Sequence, residues 1–267
     1  MKKHSLKKIH LLVSSFFIFL VHLLFVFAKN KPVTAAADKH EYVAPTESGN
    51  GAIINPKSAN GLSMMYDSLK LNIMGLSQQA FQFAMHGFDY LIKAGKVSNQ
   101  KIISIADFSL PSYKKRLFVI DLDKYKVVFN TYVAHGVNSG KEYATDFSNS
   151  PESNKSSLGF YETMDTYNGK NGYSLHLQGL EKGINDNADS RAIVMHGAEY
   201  VSEDYINAQG YIGRSWGCPA IPEKLHKPII DKIKNGSCLF IYSPNENYLI
   251  HSRILKEAQA MAENSRS

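Results

Sequence analysis

The 267-residue chain is poor in cysteine (two), has a single tryptophan, and from Lys29 onward has no lysine or arginine run that stands out. It holds no C-x-x-C pair and no H-E-x-x-H, so zinc ribbons and zinc proteases lack their minimum ligand sets. No glycine-rich loop ends in Gly-Lys-Ser/Thr, and the glycines of "AHGVNSG" lack phosphate-loop spacing. A metal or diffusible cofactor is not expected. The formal charge of +6 includes Lys2, Lys3, Lys7 and Lys8; from Lys29 onward the chain carries only +2. Nucleic acid is therefore not an expected partner. The acids of "EKGINDNAD" have no separation fixed by sequence, so they read as solvated loop carboxylates rather than a glycosidase pair. There is no internal repeat and no heptad run.

What is present begins with an export signature. Four lysines precede an apolar run from Leu11 to Ala28 that contains no Lys, Arg, Asp or Glu. Val26 and Ala28, or alternatively Ala35 to Ala37, offer small residues for a signal peptidase. Residues 1–28 read as a signal peptide or, uncleaved, as an inner-membrane anchor. Either way the remainder is expected outside the cytoplasm, in the periplasm or cell wall. Residues 29–61, rich in Ala, Pro, Asn, Ser and Gly, read as a flexible tether. The sequence leaves the oligomeric state open.

Beyond the tether, residues 62–97 have helical character. Ser77 is placed to cap a helix whose apolar positions Phe81, Ala84, Met85, Phe88, Leu91 and Ile92 repeat at i, i+3, i+4, i+7, ending near Gly95. The period then becomes that of strands. "RLFVID" and "KVVFNTYVAHG" flank "LDKY" as a hairpin, and "GYSLHLQGL", "RAIVMHG" and "SCLFIYS" are further strands. Residues 223–235 and the tail beyond about 249 return to helical pattern. The expectation is an α+β, mainly β catalytic domain over residues 98–248, with a helical N-terminal segment and a helical C-terminal tail at 249–267.

The two cysteines sit in unlike surroundings. Cys238 falls in "CLFIYS", an apolar strand where cysteine behaves as a small hydrophobe. Cys218 falls in "GRSWGCPAIP", between glycine and proline, in a segment too broken for helix or strand. In an exported chain a Cys218–Cys238 disulfide is one reading. A nucleophilic thiol at Cys218 is the other, and it needs an imidazole or a cation to favour the thiolate. His196, at the end of the strand "AIVM" and followed by Gly197, is the candidate base.

"MHGAEYV" followed by "GRSWGCPAIP" resembles the signature of YkuD-type L,D-transpeptidases, where His-Gly precedes Ser/Thr-x-Gly-Cys. The series "LFVIDL", "NTYVAHGVNSG", "SSLGFY", "EKGIND", "SRAIVMHGAEYVS", "GRSWGCPAIP" and "CLFIY" resembles more closely the murein L,D-transpeptidase catalytic domain branch, over about residues 100–243. The resemblance implies a β-sandwich or barrel fold and action on peptidoglycan stem peptides. It implies Cys218 as nucleophile, His196 as base, and Ser215 and Gly217 as the residues shaping the nucleophile loop. Attack on the third stem residue would give a thioester with loss of the terminal D-residue, the oxyanion being held by backbone N–H groups near Gly217 and Cys218. An amine acceptor then makes a cross-link, and water gives the L,D-carboxypeptidase (hydrolase) reaction.

The chain also departs from the wider pattern. Trp216 stands where histidine is usual, and Pro219 and Ala220 stand where an arginine often follows the cysteine. Arg214 is the candidate to take over substrate-carboxylate binding. Trp216 is a candidate wall of the cleft, with Gly197, His135 and Gly159 of "SSLGF" as further substrate-side positions. Two alternatives remain at this level: a non-catalytic wall-binding protein on the same fold with its cysteines paired, and an exported cysteine peptidase acting on protein.

Overall fold

The computed structural model describes residues 59–264. The leader, its cut sites and the tether up to residue 58 lie outside the described residues. Among the described residues no helix is long and apolar enough to cross a membrane.

The helical N-terminal stretch is three helices: α1 (Ala59–Ser68), α2 (Leu71–Met74) and α3 (Gln78–Lys93). Left-handed residues at Lys70 (φ 54°) and Gly75 (φ 86°) separate them. Ser77 caps α3, its side chain accepting the Ala80 N–H at 3.2 Å, which pairs an amide the helix itself leaves unbonded. Ala80, Phe81, Ala84, Phe88 and Leu91 form the buried stripe of α3, while Met85 and Ile92 pack half-buried at its margin.

Eight strands form one mixed sheet among the described residues: β1 (Ile102–Asp107), β2 (Leu117–Asp121), β3 (Lys126–Thr131), β4 (Gly159–Gly169), β5 (Gly172–Gly179), β6 (Val194–Ala198), β7 (Ala220–Pro222) and β8 (Cys238–Tyr242). Their order is β3-β2-β1-β8-β4-β5-β6-β7. Only β1·β8 and β6·β7 are parallel. The chain leaving β3 comes back toward β7. The Ala134 N–H donates to Ala220 O at 2.7 Å, and a parallel bridge joins Gly136 to Ser215. The sheet thus curls into a nearly closed barrel, which pairs edge groups that would otherwise lie open. The fold is α+β with a mainly β body.

Four helices follow: α4 (Glu203–Gln209), α5 (Glu223–Ile233), α6 (Glu246–His251) and α7 (Arg253–Asn264). Every residue of β1, β2, β6 and β8 is buried. Phe160 stacks on Phe240 across the β4·β8 register at 4.1 Å between ring centroids. Full burial of each such side chain stabilises by roughly 1.5–3 kcal/mol. Glu181 fastens the C-terminal helices to this core. Its carboxylate accepts the Phe160 N–H and the Tyr248 O–H, both at 3.0 Å, and the Ser252 O–H.

Three strands and a helix escaped the sequence reading: β7 lies inside "GRSWGCPAIP", which reads as too broken for a strand, yet its three residues pair in parallel with β6, and β1, β4 and α4 were missed as well. β1 ("IISIAD") is buried throughout, so it shows no alternation to mark it. β4 carries a register irregularity between Thr163 and Thr166, which breaks its period of two. α4 buries none of its residues and so has no apolar stripe, although Ser202 caps it by accepting the Tyr205 N–H.

Candidate active site

The parallel β6·β7 pair brings His196 and Cys218 together. Register sets His196 opposite Ala220, so Cys218, two residues earlier, lies alongside Val194. The Val194 N–H accordingly points to Cys218 Sγ at 3.5 Å, and Sγ lies 3.7 Å from Ala192 O. Both side chains line an open cleft of ≈ 850 Å³, together with Arg191, Arg214, Trp216 and Tyr200.

His196 is buried, and its Nδ1 is 2.8 Å from Gly197 O. Because a carbonyl only accepts, Nδ1 carries the hydrogen, which leaves Nε2 as the basic nitrogen. Burial pulls the imidazole below its ordinary range, only partly offset by that bond, and burial raises the Cys218 thiol. Both shifts favour the uncharged forms of the two groups. Cys218 and Cys238 are free thiols. Cys238 is wholly buried in β8, which β4, β5 and β6 separate from β7 in the sheet, so the structure does not make the Cys218–Cys238 disulfide.

Ser215 shapes the loop. Its Oγ donates to Cys218 O at 2.6 Å and accepts the Gly217 N–H at 3.1 Å. Its backbone is held on both sides, Ser215 N–H to His135 O at 3.0 Å and Val137 N–H to Ser215 O at 2.7 Å. Gly217 has φ 119°, and a Cβ there would lie 2.9 Å from both Ile193 Cδ1 and Lys155 O, so only glycine fits. The Gly217 amide, expected to face an oxyanion, is engaged by Ser215. The amide of Cys218 itself is the donor available beside the sulfur.

The other sequence-derived positions separate into two groups. Trp216 reaches the cleft with 77% of its surface exposed, so it is a rim residue rather than a core one. Arg214 lines the cleft, its Nη1 donating to Val137 O (3.3 Å) and Gly140 O (3.1 Å) and its guanidinium 5.7 Å from the Tyr211 ring. Its Nη2 and Nε have no hydrogen-bond partner among the described residues, which leaves one edge of the fork open. Gly197 also lines the cleft, and its bare α-carbon admits the Glu223 carboxylate and the His226 ring at the start of α5.

His135 and Gly159 are not brought to the cleft. His135 is fully buried, with Arg116 Nη2 donating to its Nδ1 at 2.7 Å and its Nε2–H donating to Gly140 O at 3.2 Å. Burial, reinforced by the adjacent Arg116 charge, pushes its pKa down to about 3. Gly159 (φ 106°) packs beneath Glu181, whose carboxylate occupies the place of a Cβ. Its role is core geometry.

Two arginines that the sequence did not single out support the site. Arg116 is wholly buried and bonds Val133 O, Leu110 O and His135; burial, against the attraction of Asp107, pulls it down to about 9. Arg191 lies just before β6 on the cleft wall. Nothing local marked either one, since their partners are distant in sequence. Among the described residues no group of three His, Cys, Asp or Glu side chains is arranged to hold a metal ion.

Comparison with known proteins bears on the family of the chain. The family model for the L,D-transpeptidase catalytic domain matches residues 72–242. Among solved structures, an L,D-transpeptidase from Mycobacterium smegmatis is 11% identical with a TM-score of 0.33, over 54% of this chain and 59% of that one. The helical cell shape determining protein of Campylobacter jejuni is 14% identical with a TM-score of 0.38, over 68% of this chain and 62% of that one. An L,D-transpeptidase from Stackebrandtia nassauensis is 11% identical with a TM-score of 0.33, over 70% and 78%. The chain thus spans less than two thirds of the length of the first two. A search of curated proteins returned no match. With the family model covering well over half of the sequence, from α2 to the end of β8, the chain belongs to the family of L,D-transpeptidase catalytic domains.

Proposed function

We propose that the chain is an exported cysteine acyltransferase that acts on peptidoglycan stem peptides through a Cys218 thioester. The observation that carries this reading is the meeting of a free Cys218 and His196 in one open cleft. His196 Nε2 takes the Sγ proton as sulfur attacks the carbonyl of the third stem residue. The tetrahedral oxyanion faces the Cys218 N–H. As the intermediate collapses, the imidazolium returns its proton to the departing amine of the terminal D-residue. An amine of a second stem peptide, or water, then opens the thioester and restores the thiol. The open edge of Arg214 suits a substrate carboxylate, and the exposed indole of Trp216 offers a flat apolar wall to the donor strand. The charge-rich, apolar leader supports an extracytoplasmic site of action, by cleavage or by anchoring.

The test is intact mass spectrometry of the full chain after incubation with a disaccharide tetrapeptide. A Cys218-dependent acyl adduct with release of the terminal D-residue is expected, and Cys218→Ala abolishes it while melting as the parent does. Absence of any adduct, together with a mass two hydrogens short of the reduced chain, would reject the reading.

A further inference from the structure

Arg191 holds an unusual position. Its Nη1 donates to Ser148 O (2.8 Å) and Ser157 Oγ (2.6 Å), and its Nη2 to Ser153 Oγ (3.2 Å) and Lys155 O (2.7 Å). All four terminal contacts run to neutral oxygens of the segment 148–157. Among the described residues no carboxylate forms an ion pair with it, so a half-buried guanidinium is held rigidly with its charge uncompensated.

That charge lies against the nucleophile loop. A Cβ on Gly217 would be 3.3 Å from Arg191 Nη2, and the next residue along, Ala192, has its carbonyl 3.7 Å from Cys218 Sγ. The clamped segment also bears on the loop directly, because Ser156 Oγ donates to Gly217 O at 3.3 Å and accepts the Gly136 N–H at 3.0 Å. The charged and titratable groups that share the cleft with Cys218 are Arg191, His196, Tyr200, Arg214, Lys170, Glu199 and Glu223. Of these, Arg191 attracts the thiolate directly, whereas His196 is held neutral and buried.

We infer that Arg191 is the positioning residue of this site: it clamps the 148–157 segment beneath the nucleophile loop and presents a fixed positive charge to the Cys218 thiolate formed when Sγ–H passes its proton to His196 Nε2. The inference rests on Cys218 being the nucleophile, and it accounts for how a half-buried thiol is ionised where no arginine follows the cysteine.

The experiment is the pH dependence of Cys218 alkylation by iodoacetamide in the full chain, read by peptide mass spectrometry, for the parent, Arg191→Gln and Arg191→Lys. Arg191→Gln is expected to move the midpoint upward by about one pH unit, which is tenfold less thiolate at a given pH below it. Arg191→Lys, which keeps the charge and loses the fork, is expected to restore most of that shift while lowering kcat toward the disaccharide tetrapeptide. An unmoved midpoint in Arg191→Gln would overturn the inference. If thermal melts show that variant unfolded, Arg191→Lys decides: a midpoint near the parent's supports the charge role, and a full-unit upward shift refutes it. Alkylation uses no peptidoglycan, so these outcomes stand apart from success or failure of the acyl-adduct test.

Discussion

Replacing Ser215 by alanine isolates the bracing of the nucleophile loop from the chemistry of the nucleophile. The substitution removes two hydrogen bonds, from Ser215 Oγ to Cys218 O and from the Gly217 N–H to Ser215 Oγ. The two losses are unequal. Cys218 O keeps the Ala220 N–H as a partner at 3.0 Å, so its cost is that of one ordinary bond, about 1 kcal/mol. The buried Gly217 amide is left without an acceptor, which costs roughly 1–3 kcal/mol. About 3 kcal/mol in total corresponds to roughly 6–12 °C in Tm for a domain of this size. The catalytic effect is expected to be larger in proportion. A loop freed to shift by about 1 Å misplaces sulfur relative to His196 Nε2, and a misplacement of that order costs about 100-fold. Thermal melts and steady-state release of the terminal D-residue measure the two effects, and Ser215→Thr, which retains the oxygen, is expected to recover most of both. A Ser215→Ala variant with parental Tm and parental kcat would refute the bracing argument.

Two further outcomes follow from buried groups. His135 titrates at about 3 in the folded chain against about 6.5 when unfolded. The unfolded state therefore binds the extra proton between those values, so stability is full above pH 6.5 and falls steadily as pH drops toward 3. His135→Gln supplies one acceptor for Arg116 and one donor for Gly140 O without titrating. Its Tm is expected to fall less over that window, and identical pH profiles would count against the assignment. Cys238→Ser places a hydroxyl in a fully buried β8 position, and is expected to cost about 1–3 kcal/mol of stability with the acyl-adduct yield per folded molecule unchanged; parental stability with lost activity would contradict the purely structural role of this thiol.

Much of the architecture was legible because it is written in local period. The Ser77 cap and the stripe through Phe81, Ala84, Phe88 and Leu91 define α3 from spacing alone. The hairpin at "LDKY" and the apolar run of β8 announce themselves in the same way. The meeting of Cys218 and His196 on one cleft was legible as well, since their neighbouring glycines and the Ser-x-Gly-Cys spacing constrain the backbone at each end. Period fails where burial is uniform, as in β1, or interrupted, as in β4.

The sequence by itself determined the elements that a short stretch can specify, and it singled out Cys218 and His196, which the structure places on one cleft. The tertiary structure alone decided the rest. It took His135, whose motif looks like a cleft residue's, and buried it against Arg116 from 19 positions away. It set Arg191 on oxygens 34 to 43 positions distant, and it separated the two cysteines. The physical reason is that a side chain's charge state, tautomer and exposure depend on which distant segments close over it. Such closure is fixed by the register of β6 on β7 and the return of the chain after β3, and no local window of sequence contains either.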